Sequence, residues 1–479
     1  MSLTTALNSA MSGLTAASRA TDVVSQNIAN ALTPGYARRS LEVTSATSTG
    51  SGVRIVGVQR HSDPVLVSDR RGADAEHSNA QTIANFHSRF EALVGTATDP
   101  TSYSMRLAEF ENSLIAAASY SDSAQRLDAV VYAAKGLVAS INDTSEGLRQ
   151  MRTEADTAIG FQVDRLNVAL EEVKKLNTRI TSAQATGGDV SGLLDQRQLL
   201  IDGINQIVPV NQVDRDYGQI ALYTDGGAIL LDGSAATLDF TPVMDTVPEM
   251  TIGNGGLSGL TINGIPVSAD KITGGTLAAN FEIRDELSVS AQSDLDAVAR
   301  DLIERFETAS LDSTTAAGVP GLFTDDGAAF DPLLELGLAG RLRVNGLVDS
   351  DQGGESWRLR AGLGALDPGM PGDSRLLRAF SDVLAEARTP GSTTFGTGSA
   401  TAADMGSSLL SRVAQNGANA EQRLGFASAT QTELSRIELT QGVDTDAELQ
   451  TLMLVEQAYA ANARMIQAVD EMMETILGL

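Results

Sequence analysis

The chain contains no cysteine among its 479 residues. This excludes a disulfide framework, a thiolate metal site and a cysteine nucleophile. Two kinds of protein share that absence: one that works in the cytosol without thiols, and one that must stay unfolded while it is exported. Lysine is nearly missing as well, found only at Lys135, Lys174, Lys175 and Lys271, so almost all positive charge is arginine. Positive charge is itself scarce, with 34 basic against 61 acidic residues and a formal net charge of −27. A field of that sign repels phosphate backbones and anionic lipid, which argues against nucleic-acid or membrane-surface partners. No apolar run is long enough to span a bilayer. The N-terminus has neither the basic region nor the unbroken apolar core of a secretory signal. The expectation is a chain that stays inside the cell or leaves by a route without a cleaved signal.

Patterns that carry chemistry are missing too. The three histidines are His61, His77 and His87. The last two stand ten apart on one expected helix, which is no ligand spacing, and all three read as surface residues. "GNGGLSGLTING" (253–264) lacks the G-K-[ST] of a phosphate loop and a following helix, so it reads as hairpin turns. The acidic stretches "DTDAEL" (444–449) and "TDDGAAFD" (324–331) lack the spacing of a calcium loop. They read as helix capping and as a turn. G-x-S-x-G is absent. No catalytic, cofactor-binding or metal-binding residue is expected, and no enzyme.

What is present lies at the two ends. Leu3, Leu7, Ala10, Leu14, Ala17, Thr21, Val24, Ile28 and Ala31 recur at alternating spacings of four and three, a heptad seam with one polar member. The helix they predict stops at Thr33-Pro34-Gly35-Tyr36, where Pro-Gly suits the centre of a type II turn. At the other end Leu452, Val455, Tyr459, Asn462, Ile466, Val469, Met473 and Ile476 form a matching seam, again with one polar position. Gly442 closes the preceding helix, and Thr445 with Glu448 reads as a capping box. A lone helix of this kind buries little, so the two ends are expected to pair.

Between the ends, helices are predicted over 63–95, 104–119, 122–185 and 193–208, the last ended by Pro209. Residues 210–279 are rich in glycine and alternating apolar residues and read as short strands and hairpins. Helix resumes over 285–310 and 403–441, around an irregular stretch with one strand near 341–346 and one helix near 374–387. The expected fold is therefore mainly α with a β insertion: terminal coiled-coil helices, a long-helix bundle body and an outward β-rich domain. The expected units are 1–35 with 442–479, then 36–208 with 282–441, and 209–281 as the β-rich insertion. The 311–403 stretch is left open between the helical body and an outer domain.

These residues carry a resemblance. "AMSGLTAASRATDVVSQNIANALTPGYARR" (10–39) resembles the N-terminal signature of bacterial flagellar rod, hook and hook-associated proteins. "DAELQTLMLVEQAYAANARMIQAVDEMMETIL" (446–477) resembles their C-terminal signature. The centre, "LLDQRQLLIDGINQIVPVN" (193–211), "YGQIALYTDGGAILLDG" (217–233), "GGTLAANFEIRDELSVSAQSDLDAVARDLIERF" (274–306) and "GVPGLF" (318–323), resembles the members that join hook to filament. Ala37 and Leu32 depart from the polar residues usual there, and the centre is shorter than in the larger members, which implies a missing outermost domain.

The resemblance implies a structural subunit located outside the cell in the flagellum, exported unfolded by the flagellar type III apparatus. Its partners would be copies of itself in a helical tube, the hook protein below and a second junction protein or filament subunits above. An export chaperone would hold the C-terminal helix. Asn27, Asn30, Pro34, Gly35 and Tyr36 fall on the family's turn motif, with the expected role of ending the inner helix and turning the chain toward the next layer. Three other readings stay open: another axial protein of the hook or distal rod, an acidic secreted calcium-binding protein, and a cytosolic coiled-coil scaffold. The calcium reading lacks the G-G-x-G-x-D repeats it needs. The scaffold reading leaves the two matched ends as coincidence.

Overall fold

A computed structural model describes residues 3–46, 52–308 and 310–478. Met1, Ser2 and Leu479, which belong to the expected terminal unit, lie outside the described residues. The chain opens with α1 (Leu3–Ala29), followed by a hairpin of β1 (Arg39–Ser45) and β2 (Val53–Arg60). Four helices follow: α2 (Pro64–Val94), α3 (Tyr103–Ser119), α4 (Ala124–Ala185) and α5 (Ser191–Ile207). Their starts are set locally. Asp63 accepts from the amides of Val65 and Leu66 with Pro64 just inside α2, and Ser102 accepts from the Met105 amide at the head of α3.

Two small antiparallel sheets come next. One contains β3 (Val210–Asp214), β4 (Ile220–Thr224), β5 (Ile229–Asp232) and β6 (Ser234–Ala235) in that order. The other contains β7 (Leu238–Asp239), β8 (Thr261–Ile262) and β9 (Ile265–Pro266). Helix returns as α6 (Gly275–Glu282), a π turn over Ile283–Leu287, and α7 (Ser288–Phe306). Short pieces then alternate: β10 (Phe323–Asp325), α8 (Leu338–Arg341), β11 (Leu342–Val344), α9 (Arg358–Ala361) and α10 (Arg375–Ala385). The chain closes with α11 (Ala402–Gln441) and α12 (Thr445–Leu477).

The 62-residue α4 is the spine, about 93 Å long at 1.5 Å per residue. Its apolar stripe feeds two cores in succession. Leu127, Val130, Leu137, Ile141 and Leu148 pack with Phe110 and Leu114 of α3 and with Leu295, Leu302 and Phe306 of α7. Further along, Ile159, Val163, Leu166, Leu170 and Val173 recur at spacings of four and three and pack on Ile201 and Ile204 of α5. That second core takes in Leu222, Leu230, Leu231 and Leu260 from the sheet region. Between the two cores Arg284, on the π turn, meets Asp156 of α4 at 2.7 Å with neither side chain exposed. Arg152 donates to the carbonyls of Arg284 and Met250. Asp156 thus matches the buried Arg284 charge, and backbone carbonyls satisfy the Arg152 donors, as burial demands.

Several expectations need correction. The hairpin β1–β2 lies where only helical body was expected. Residues from Gly275 onward are already helical, so the β region ends earlier than 281, and helix resumes ten residues before Asp285 through the π turn. The 311–403 stretch does not stand apart: Phe323, Leu342, Leu359, Leu377 and Phe380 share the first core with α3, α4 and α7. It is pinned there by Asp296 of α7, whose carboxylate accepts from the amides of Gly337 and Ala339 at 2.7 and 2.8 Å.

Burial of that carboxylate outweighs these hydrogen bonds and pushes the Asp296 pKa up to about 6. A raised acid pKa means that the folded chain holds a proton which the unfolded chain has already released. Stability at this group therefore falls as pH rises from its ordinary value near 4 to about 6, by about 3 kcal/mol in all. A carbon-13 titration should place the Asp296 carboxyl midpoint near 6, and a midpoint near 4 would contradict this.

Candidate assembly site at the paired termini

α1 and α12 pack along each other. Arg38, just past α1, bonds Glu448 in the first turn of α12, and Gly13 near the start of α1 sits beneath Asn462. The pair is therefore antiparallel. On α1 the seam residues Ala10, Ala17 and Val24 are buried, and Leu3, Leu7, Leu14, Thr21, Ile28 and Ala31 are half-buried. On α12 only Val469 is buried among the seam residues, while Leu452, Val455, Asn462 and Ile466 are half-buried. Tyr459, Met473 and Ile476 remain exposed, Ile476 by 58 %. The structure thus covers the α1 seam along its described length and leaves three residues of the α12 seam exposed, Tyr459 within it and Met473 and Ile476 at its end. A Cβ on Gly13 would lie 2.8 Å from the Asn462 amide, so this glycine makes the space that the one polar seam residue of α12 needs.

The chain leaves α1 through the turn motif. Asn27 is fully buried and its side chain makes three hydrogen bonds. Its Nδ2 donates to the Arg39 carbonyl at 2.8 Å, and its Oδ1 accepts from the Arg39 amide at 3.0 Å and the Tyr36 hydroxyl at 2.9 Å. One side chain therefore staples the end of α1 to the first residue of β1. Asn30 acts closer by, donating to the Gln26 carbonyl at 2.9 Å and accepting from Thr33 Oγ1 at 3.3 Å. Pro34 and Gly35 fill the centre of the turn closed by the Tyr36 amide on the Thr33 carbonyl at 3.2 Å. Gly35 has φ +75°, and a Cβ there would lie 2.7 Å from Leu199 of α5. Both the backbone and the packing call for glycine. Leu32 projects beside the turn, 94 % exposed.

Arginines lock this turn to the rest of the chain. Arg39 and Arg60 stand directly opposite each other in the hairpin, so their side chains share a face. Both reach Asp195 of α5, at 2.5 and 2.7 Å. Arg38 points to Glu448, whose carboxylate is 1 % exposed, at 2.7 Å. Burial raises the Tyr36 pKa, Asp195 and Glu448 add to the shift, and the Arg39 guanidinium 4.7 Å from its ring centre opposes it. A cleft of about 830 Å³ opens beside the turn, bounded by the start of α2, by α5 and by the end of α11.

The capping box read at Thr445 and Glu448 is not formed. Asp444 caps α12, accepting from the amides of Asp446 and Ala447, and Glu448 is committed to Arg38. A capping box does exist at Thr401 and Asp404, opening α11. The roles of Arg38, Arg39, Arg60 and Asp195 were missed in the sequence, and Glu448 was assigned to a cap instead. The only local hint was the Arg-Arg pair directly after the turn motif. His87 is buried rather than at the surface, and its desolvation lowers its pKa. Among the described residues no group of histidines or carboxylates could hold a metal ion, and no helix is long and apolar enough to cross a membrane.

Comparison with known proteins finds three matching families along the chain. Residues 87–323 match the family described as the flagellar hook-associated protein FlgK helical domain. Residues 7–36, α1 and its turn, match the flagella basal body rod protein family. Residues 440–479, essentially α12, match the C-terminal family of the flagellar basal body rod FlgEFG proteins. The chain is 29 % identical over 303 residues to flagellar hook-associated protein 1 of Escherichia coli (strain K12), covering 57 % of this chain and 55 % of that one. It is 33 % identical over 239 residues to the same-named protein of Salmonella typhimurium, covering 48 % of this chain and 43 % of the relative. The matched part thus spans about half the length of these two relatives. The Bacillus subtilis (strain 168) protein of that name is 24 % identical over 513 residues, covering 98 % of this chain and 97 % of its own.

The fold is that of a mainly α chain whose two ends pair and are tied to a long-helix body. The chain belongs to the flagellar rod, hook and hook-associated axial proteins, and its centre is of the hook-associated kind.

Replacing Asn27 with alanine leaves the Arg39 amide and carbonyl without partners, at a local cost of about 1–3 kcal/mol. Exchange of the Arg39 amide proton should speed up by roughly tenfold or more, with the α4 amides unchanged. Gly35→Val should loosen the same junction through both φ strain and the Leu199 clash, and Gly35→Ala should do so less.

Proposed function

We propose that this chain is a structural subunit of the bacterial flagellum at the junction of hook and filament. It assembles with copies of itself into a helical tube through α1 and α12. The observation that carries this reading is the joint occurrence of both axial-protein end segments and a hook-associated helical domain in one chain. The same observation weighs against the hook protein and the distal rod as identities, since the ends are shared and the centre discriminates. In this reading Leu3, Leu7, Ala10, Leu14, Ala17, Val24 and Ile28 pair with Leu452, Val455, Tyr459, Asn462, Ile466, Val469, Met473 and Ile476 as the assembly seam. Asn27, Asn30, Pro34, Gly35 and Tyr36 redirect the chain from the tube to the body.

The partners are then hook protein on one side and a second junction protein or filament subunits on the other. The subunit reaches this place outside the cell without a cleaved signal peptide, and an export chaperone covers α12 until it arrives. The uncovered apolar residues of α12 support this last point, because exposed seams associate prematurely. The role is structural, and no reaction is assigned to it.

The test is to remove the chain from a flagellated cell and supply it again carrying an epitope. Cells without it should build hooks and shed filament subunits into the medium, and immunogold should mark one band at each hook–filament boundary. Normal filaments in its absence, or label spread along the hook, would contradict the proposal.

A further inference from the structure

The terminal pair, with its turn and hairpin, is fastened to the body along one wall only. Arg39 and Arg60 both reach Asp195, Arg60 also bonds Gln198, and Gly35 lies against Leu199, so these anchors all fall on α5. On the other side stand the start of α2 and the end of α11. Among the described residues no hydrogen bond or ion pair joins the turn, residues 30–38, to either of them. The space between is the cleft of about 830 Å³. Its lining takes apolar residues from both sides: Leu32 from the turn, Leu66 and Val67 from α2, and Leu439 from α11. Leu32 is 94 % exposed and Leu439 70 %, so they border one space without packing on each other. The chain passes between this unit and the body twice, at His61–Asp63 and at Gly442–Val443. Both passages line the cleft and lie outside any helix or strand. A rotation that closes the cleft therefore bends only connecting residues, as hinges do.

We infer that this cleft is the open state of a clasp within the chain: the terminal unit rotates on its Asp195 anchor until Leu32 seats against Leu439 and Leu66. Closure takes these apolar side chains out of water, which drives it. It leaves the bonds to α5 in place, because Asp195 sits at the pivot and the moving contact lies across the cleft from it. The end then has two set angles to the body in place of a continuous range. Leu32 is the moving part and Leu439 the seat. The clasp belongs to the single chain and does not depend on the junction assignment.

The chain has no cysteine, so introduced pairs report closure directly. A disulfide needs Cα atoms within about 7 Å, and Leu32→Cys with Leu439→Cys should therefore cross-link when the clasp shuts. The purified full-length variant is held in a glutathione redox buffer and read by non-reducing gel and mass spectrometry. A second pair, Leu32→Cys with Thr432→Cys, moves the partner about two turns back along the same face of α11. The clasp predicts an intramolecular disulfide in the first pair, formed at least fivefold faster than in the second. A smaller ratio, no intramolecular disulfide, or a disulfide only between chains overturns it. A disulfide can also trap a rare encounter, so a second measurement reads the population. Leu439→Cys is alkylated with iodoacetamide, alone and together with Leu32→Asp. Both sites are exposed, and both variants should keep the wild-type melting curve. A seated Leu32 shields position 439, so adding Leu32→Asp should speed alkylation at least threefold. A smaller change overturns the clasp, because position 439 would then face water at all times.

Discussion

Coverage of α12 is the constraint on which the rest of the structure depends. The helix has apolar residues around much of its circumference, yet among its described apolar side chains only Val469 is buried in the single chain. Each large apolar side chain moved from water into a packed contact contributes roughly 1.5–3 kcal/mol. Ordering the backbone costs about 1–2 kcal/mol per residue. A two-helix terminal unit of this thinness has little margin by itself, and its stability is expected to depend on what else lies against it. Folding of the ends and assembly of the subunit are then one process.

That arrangement needs a body that does not share the fragility of the ends. α4 provides it by threading two cores in series, each closed by other long helices and, in the second, by the small sheets. The Arg284–Asp156 ion pair fills the space between those cores, and the Arg152 guanidinium beside it is held by backbone carbonyls. The joint between end and body is short and polar. Asn27 fixes the backbone of Arg39, Arg39 and Arg60 converge on Asp195, and Arg38 holds the first turn of α12 through Glu448. Both chain connections to the terminal pair are therefore anchored within a few residues of where they leave it.

The long helices were legible in the sequence because their apolar period runs for many turns and their ends carry strong local signals, such as Asp63-Pro64 and the break at Pro209. The β insertion was legible from its glycine-bounded alternation, though its end was misplaced, because Gly275–Glu282 has strand-like neighbours and no capping side chain. The β1–β2 hairpin was missed. "RSLEVTS" offers two apolar residues, and its arginine at one end answers to Asp195, far away in sequence. The false capping box has the same cause, since Glu448 satisfies a local pattern and yet serves Arg38. The 311–403 stretch looked detached because its elements are short. Its membership in the first core depends on contacts such as Phe306 with Phe323, with ring centres 5.0 Å apart, that no local pattern announces. At the turn, the motif residues could be named from sequence, but the partners that give them meaning could not.

The most direct measurement of the central claim is hydrogen exchange, read by mass spectrometry, on the purified full-length subunit before assembly. The account predicts that the amides of α1 and α12 exchange within the earliest time points while those of α2, α4 and α5 remain protected. Strong protection of both terminal helices in a monomer would contradict it, because the ends would then be stable without any neighbour to cover them.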